Sequence, residues 1–108
     1  MPELTHLREA AQRGVEGLEE ATAHAPRARR NLALGLWAGR RLGHDGAALA
    51  HYALSVMESD HEEAGDADVI RKLARDLAAA GLPAPEAELR ARAVAFKREA
   101  FAAMHQTD

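Results

Sequence analysis

No cysteine occurs among the 108 residues of this chain. Disulfides, thiolate metal sites and cysteine nucleophiles are thereby excluded, and a reducing compartment suits the sequence. Serine is nearly as scarce: only Ser55 and Ser59 are present, and neither lies in a Gly-x-Ser-x-Gly turn. A Walker loop, a dinucleotide fingerprint and a His-Glu-x-x-His pair are all missing. With no nucleophile and base at a useful spacing, the chain reads as non-enzymatic, and no catalytic residue is assigned. No stretch approaches the roughly 20 apolar residues that a membrane span needs. The first residues lack the basic start and apolar run of a secretory signal. A cytoplasmic location without membrane insertion is the expectation.

Large apolar residues are also few. Thirteen Leu, four Val, one Ile and two Phe make 20 of 108, a fraction at which disorder becomes conceivable. Two features argue for order instead. The net charge is only −3, and 26 Ala favour helix without loss of side-chain entropy. No alternating strand pattern and no internal repeat is present. The length allows one small domain, built from closely packed, Ala-rich helices.

Charge is distributed in blocks. Residues 1–26 carry −3, residues 27–43 carry five Arg and no acid, and residues 58–68 carry six acids. Such blocks favour polar association, within the chain or with a partner of opposite sign. The acidic total argues against nucleic acid as a partner.

Periodicity places the helices. Leu4, Leu7, Ala11, Val15 and Leu18 form a narrow apolar stripe that predicts a marginal helix over residues 4–22, ordered by docking on something. Gly14 and Gly17 weaken it by about 1 kcal/mol each where exposed. Pro26 interrupts and suits the first position of a new helix, which Gly43 ends. Gly35 and Gly39, one turn apart, permit close backbone approach. Asp45 caps a third segment running to about Glu58, with Leu49, Tyr52, Ala53 and Val56 inward. Asp66 caps a fourth, with Val69, Ile70, Leu73 and Leu77 inward, and Gly81 closes it. The last begins near Pro85 and buries Leu89, Ala93, Phe96 and Ala100. The expected fold is all-α: an N-terminal helical arm over residues 1–25 and a four-helix bundle over residues 26–108.

A particular set of residues runs through the middle of the chain: Ala28-Arg29-Arg30-Asn31, Gly35-Leu36-Trp37-Ala38, Leu42-Gly43 and Tyr52-Ala53. It continues through Asp60, Glu62-Glu63, Gly65-Asp66-Ala67-Asp68-Val69, Arg71-Lys72 and Asp76-Leu77. This pattern resembles the zeta subunit family, small helical bacterial proteins that inhibit the F-type ATP synthase and were long catalogued as a domain of unknown function. The resemblance implies a four-helix domain preceded by a mobile N-terminal segment. It implies a regulator of ATP hydrolysis that inserts an N-terminal helix at a catalytic interface, with the catalytic subunits as partners. It further implies a location peripheral to the membrane-bound enzyme and weak binding of ATP or ADP. The N-terminus departs from the family's Phe-Asp-Asp-Arg-Glu opening, so the stripe of Leu4, Leu7, Ala11, Val15 and Leu18 rests on periodicity alone as the partner-binding candidate.

Other candidates have plainer readings. Asp60, Glu62, Gly65, Asp66 and Asp68 imitate part of a calcium loop, but Ala64 holds the fifth ligand position and Arg71 the twelfth. The acidic turn therefore reads as a solvated, helix-capping connection, and its Ala64 replaces the family's Pro. His6, His24, His44, His51, His61 and His105 read as surface residues, so no metal and no cofactor is assigned. Arg29 and Arg30, with Arg40 and Arg41, could bind an anion such as a nucleotide, or pair with the acidic turn. Trp37 reads as core packing, with a partner anchor as the alternative. A monomer is expected when free. Two rival functions remain, a non-catalytic nucleotide- or anion-binding module and a helical adaptor whose stripe packs on its own bundle or on a second copy.

Overall fold

A computed structural model describes residues 3–61 and 65–104, and residues 62–64 of the acidic turn and His105 lie outside them. Among the described residues the chain is all-helical, with no strand. Two short helices, α1 (Leu4–Gln12) and α2 (Val15–Ala21), precede α3 (Pro26–Arg41), α4 (Gly46–Glu58), α5 (Ala67–Ala79) and α6 (Glu86–Met104). The punctuation has local causes. Ala25 is held extended before Pro26, and the proline opens α3 where its missing N–H costs nothing. At the far end Gly43 takes a φ of 92°, so that its N–H reaches the Arg40 carbonyl and the His44 N–H reaches that of Gly39. Gly81 and Leu82 close α5 in the same way on Ala78 and Leu77.

Helix α3 is the spine, packed against α4 and α6 and touching α2 and α5. The α3–α4 approach is tight because Gly35 has no side chain. A Cβ there would stand 2.8 Å from the Ala53 Cα. Two apolar clusters lie on either side of α3. The first joins Leu7, Ala10, Ala11 and Leu18 of the N-terminal pair to Leu32 and Leu36 of α3 and to Leu49, Ala50, Ala53 and Met57 of α4. The second joins Leu34 and Ala38 to Val56, to Val69, Ile70, Leu73 and Leu77 of α5, and to Leu89 and Ala93 of α6. Tyr52 donates to the Asp76 carboxylate at 2.8 Å, which ties α4 to α5 beside this cluster, and Lys72 donates to the same carboxylate at 2.8 Å from within α5.

Three local expectations differ from the structure. The single helix over residues 4–22 is broken at Arg13–Gly14, where Gly14 has a φ of 85°. The corner is tight: a Cβ on Gly17 would lie 2.2 Å from the Ala10 carbonyl oxygen, so only glycine fits. Asp45 and Asp66 precede α4 and α5 as expected, but neither side chain caps its helix. The Asp66 carboxylate instead accepts from Arg90 at 2.8 Å. Finally, Trp37 and Phe96 are half-buried at the edge of the second cluster rather than enclosed.

Candidate functional site

The first turns of α3 carry a basic cluster, and the residue just past α4 supplies its counter-charge. Arg27 and Arg30 lie three apart and Arg27 and Asn31 four apart, so the helix sets all three on one side. Asp60 is almost wholly enclosed there, with 2% of its side chain exposed. Its carboxylate accepts from Arg27 Nε at 2.7 Å, from Arg27 Nη2 at 2.6 Å and from Asn31 Nδ2 at 2.7 Å. Arg30 donates from Nε and Nη2 to Asn31 Oδ1 at 3.0 and 2.7 Å, and stands 3.9 Å from Asp60. Arg30 and Asn31 are themselves buried.

The electrostatics follow from this enclosure. Burial opposes the charge on Asp60. The hydrogen bonds from Arg27 and Asn31 and the two guanidinium charges outweigh it, holding the carboxyl below its ordinary 3.8. Burial likewise lowers the pKa of Arg30, and the charge of Asp60 restores it only in part. The carboxylate's acceptor sites are taken up by N–H donors, which fits a structural ion cluster better than a cation site.

Beside the cluster a cleft of about 450 Å³ opens between the start of α3, the Gly65–Asp66 entry to α5, and α6. Arg27, Arg30, Lys97 and Asp66 line its polar side, and Ala93, Val94 and Phe101 its apolar side. Val94 and Phe101 are among the few large apolar residues left exposed. Arg27 and Arg30 already face Asp60, and three cations against the one lining carboxylate over an apolar floor leave a modest positive balance that suits an organic anion.

The structure brings some sequence candidates together and separates others. Leu7, Ala11 and Leu18 lie in the chain's own first cluster, Val15 is half-buried against it, and Leu4 is 42% exposed. Arg8 bonds Glu58 at 2.8 Å across the α1–α4 contact. Arg29 and Arg30 point different ways: Arg30 lines the cleft, whereas Arg29 donates to the Glu19 carbonyl at 3.2 Å. Arg27, Lys97 and Phe101 were not singled out from sequence. Helical spacing from Arg30 points to Arg27, but nothing local points to α6.

A model of the family described as ATPase inhibitor subunit zeta matches residues 8–103. No curated protein and no solved structure matches the chain.

Proposed function

The chain belongs to the ATPase inhibitor subunit zeta family, and from that premise we propose that it restrains ATP hydrolysis by the F-type ATP synthase. It acts on the catalytic subunits as a non-catalytic regulator, peripheral to the membrane-bound enzyme. The N-terminal pair α1–α2 is the inhibitory element of this proposal. Helices of nine and seven residues are too short to persist alone in water and take their order from the surface they cover. Fully burying Leu7 and Leu18 contributes about 1.5–3 kcal/mol each, and release also uncovers their neighbours in the first cluster, so the partner groove must return more than that sum. On release the Arg13–Gly14 corner straightens. The two helices then merge into one over residues 4–22 that presents Leu4, Leu7, Ala11, Val15 and Leu18 as a continuous stripe at a catalytic interface. Helices α3–α6 remain outside as the domain that holds the inserted helix in place.

The observation that carries this reading is the family match across residues 8–103. The test titrates purified chain, with and without residues 1–25, into the F-type enzyme and measures ATP hydrolysis. Inhibition by the full chain, lost on removal of residues 1–25, is the expected result. Equal rates in all three conditions refute the proposal.

A second reading has its own observation, the cleft lined by Arg27, Arg30, Lys97 and Asp66 over Ala93, Val94 and Phe101. Its shape and charge suit ATP or ADP, with phosphates toward the cations and the base over Phe101. Titration with ATP should shift the Arg30 and Lys97 NMR signals and spare Arg29. Unmoved signals at millimolar nucleotide eliminate this reading.

A further inference from the structure

Of the five arginines in the 27–43 block, three are engaged locally: Arg27 and Arg30 on Asp60, and Arg29 on the Glu19 carbonyl. Arg40 and Arg41 have no such oxygen acceptor among the described residues. Among the described residues no carboxylate forms an ion pair with Arg40, Arg41 or Arg92, in a chain whose net charge is −3. The α3 dipole explains part of this, because Arg40 and Arg41 occupy its last turn, where a cation is favoured. It does not explain Arg92, which lies within α6. The Arg92 guanidinium stands 4.3 Å from the centroid of the Trp37 ring, and that of Arg41 stands 5.7 Å from the same ring. Two cations therefore converge on one half-buried indole, with a third, exposed cation adjoining. The electron-rich ring offsets some of their mutual repulsion and fixes the planar groups in place.

We propose that Trp37, Arg40, Arg41 and Arg92 form a docking surface for a carboxylate-rich protein segment. Guanidinium forks held against a ring are ready to take carboxylates two hydrogen bonds at a time. Trp and Arg are also the residue types that dominate binding energy at protein interfaces. The surface borders the second apolar cluster, whereas the N-terminal pair belongs to the first, so it is a separate point of attachment. The choice of a protein over a small anion rests on the proposed role as a subunit that docks on an enzyme.

Trp37 is the sole tryptophan, so its emission reports this surface directly. The full chain is titrated with a ten-residue Glu/Asp peptide lacking Trp, at low and at high salt, and in parallel with inorganic phosphate. The expected result is a saturable change in emission that weakens at high salt and is not reproduced by phosphate. Arg41→Ala and Arg92→Ala each weaken peptide binding about threefold, and together about tenfold. Arg13→Ala removes the same charge elsewhere and has no effect, while Arg92→Lys keeps the charge but loses the flat stacking and falls between. No saturable change at millimolar peptide overturns the proposal, as does equal weakening by Arg13→Ala or equal saturation by phosphate. An ATP hydrolysis assay on the same samples separates the two ideas. A silent peptide titration with inhibition intact sinks only the docking surface, and a normal titration without inhibition sinks only the inhibitor role.

Discussion

Replacing Asp60 with alanine tests the buried ion cluster at the start of α3. The carboxylate is 2% exposed and serves Arg27 and Asn31 directly, with Arg30 in range at 3.9 Å. Its removal affects these partners unequally. The Arg27 side chain is 30% exposed and can turn to solvent at little cost, but that of Arg30 is 7% exposed and Asn31 is fully buried. A buried guanidinium left without its counter-charge costs about 3–5 kcal/mol. A domain of this kind has only about 5–15 kcal/mol in total, so Asp60→Ala should consume a large share of it. In urea unfolding followed by circular dichroism, the midpoint should fall by on the order of 2 M with little change in slope. Asp60→Asn keeps an acceptor without the charge and should fall between alanine and wild type. A loss below about 1 kcal/mol for Asp60→Ala would refute the reasoning, because exposed ion pairs contribute up to about that much.

Further outcomes follow from the same structure. Gly17→Ala should destabilise despite alanine's better helix propensity, since the new methyl would meet the Ala10 carbonyl. Faster hydrogen exchange in α1 would show the corner opening, and a variant more stable than wild type would contradict it. Met57→Ala removes a buried α4 contact of the N-terminal pair without altering the stripe, at about 2–5 kcal/mol. Under the proposed mechanism it should inhibit hydrolysis at lower concentration, and a higher inhibitory concentration would argue against docking as the competing state. Stability should decline at both extremes of pH. Asp60 and Asp76 have lowered pKa values, so their contribution is complete above the ordinary 3.8 and is lost as pH falls from there through the folded values. Burial and the bond to Asp76 raise the Tyr52 pKa, so that contribution is complete below the ordinary 10.0 and is lost as pH rises beyond it. Thermal melts across pH and a phenolate absorbance titration check both arms.

The sequence was most legible where a residue acts on its own backbone. Pro26, Gly43 and Gly81 mark the observed ends of α3 and α5 because a fixed φ or a left-handed φ leaves few choices. The inward sets of α4 and α5 were visible for a similar reason, since spacing alone defines a helical face. What periodicity cannot state is which surface covers that face. The stripe from Leu7 to Leu18 was evident, but its burial against α4 depends on a corner that closes only where Gly17 meets Ala10. Charge blocks foretold that the arginines could meet the acidic turn. The pairing of Arg27 with Asp60, 33 residues apart, needed the α3–α4 packing to be known. The cleft was hidden for the same reason, because its floor comes from α6 and its cations largely from α3.

The N-terminal pair supplies one wall of the first apolar cluster, so lifting it is never a private event. Leu32 and Leu36 on the spine and Ala50 and Met57 opposite lose their cover at the same moment. A liberated leader and a freshly bared flank thus arrive together, and an enzyme that captures the one is offered the other as an adhesive patch. Molecules cut just before Pro26 would carry that patch permanently and would tend to clump with their own kind.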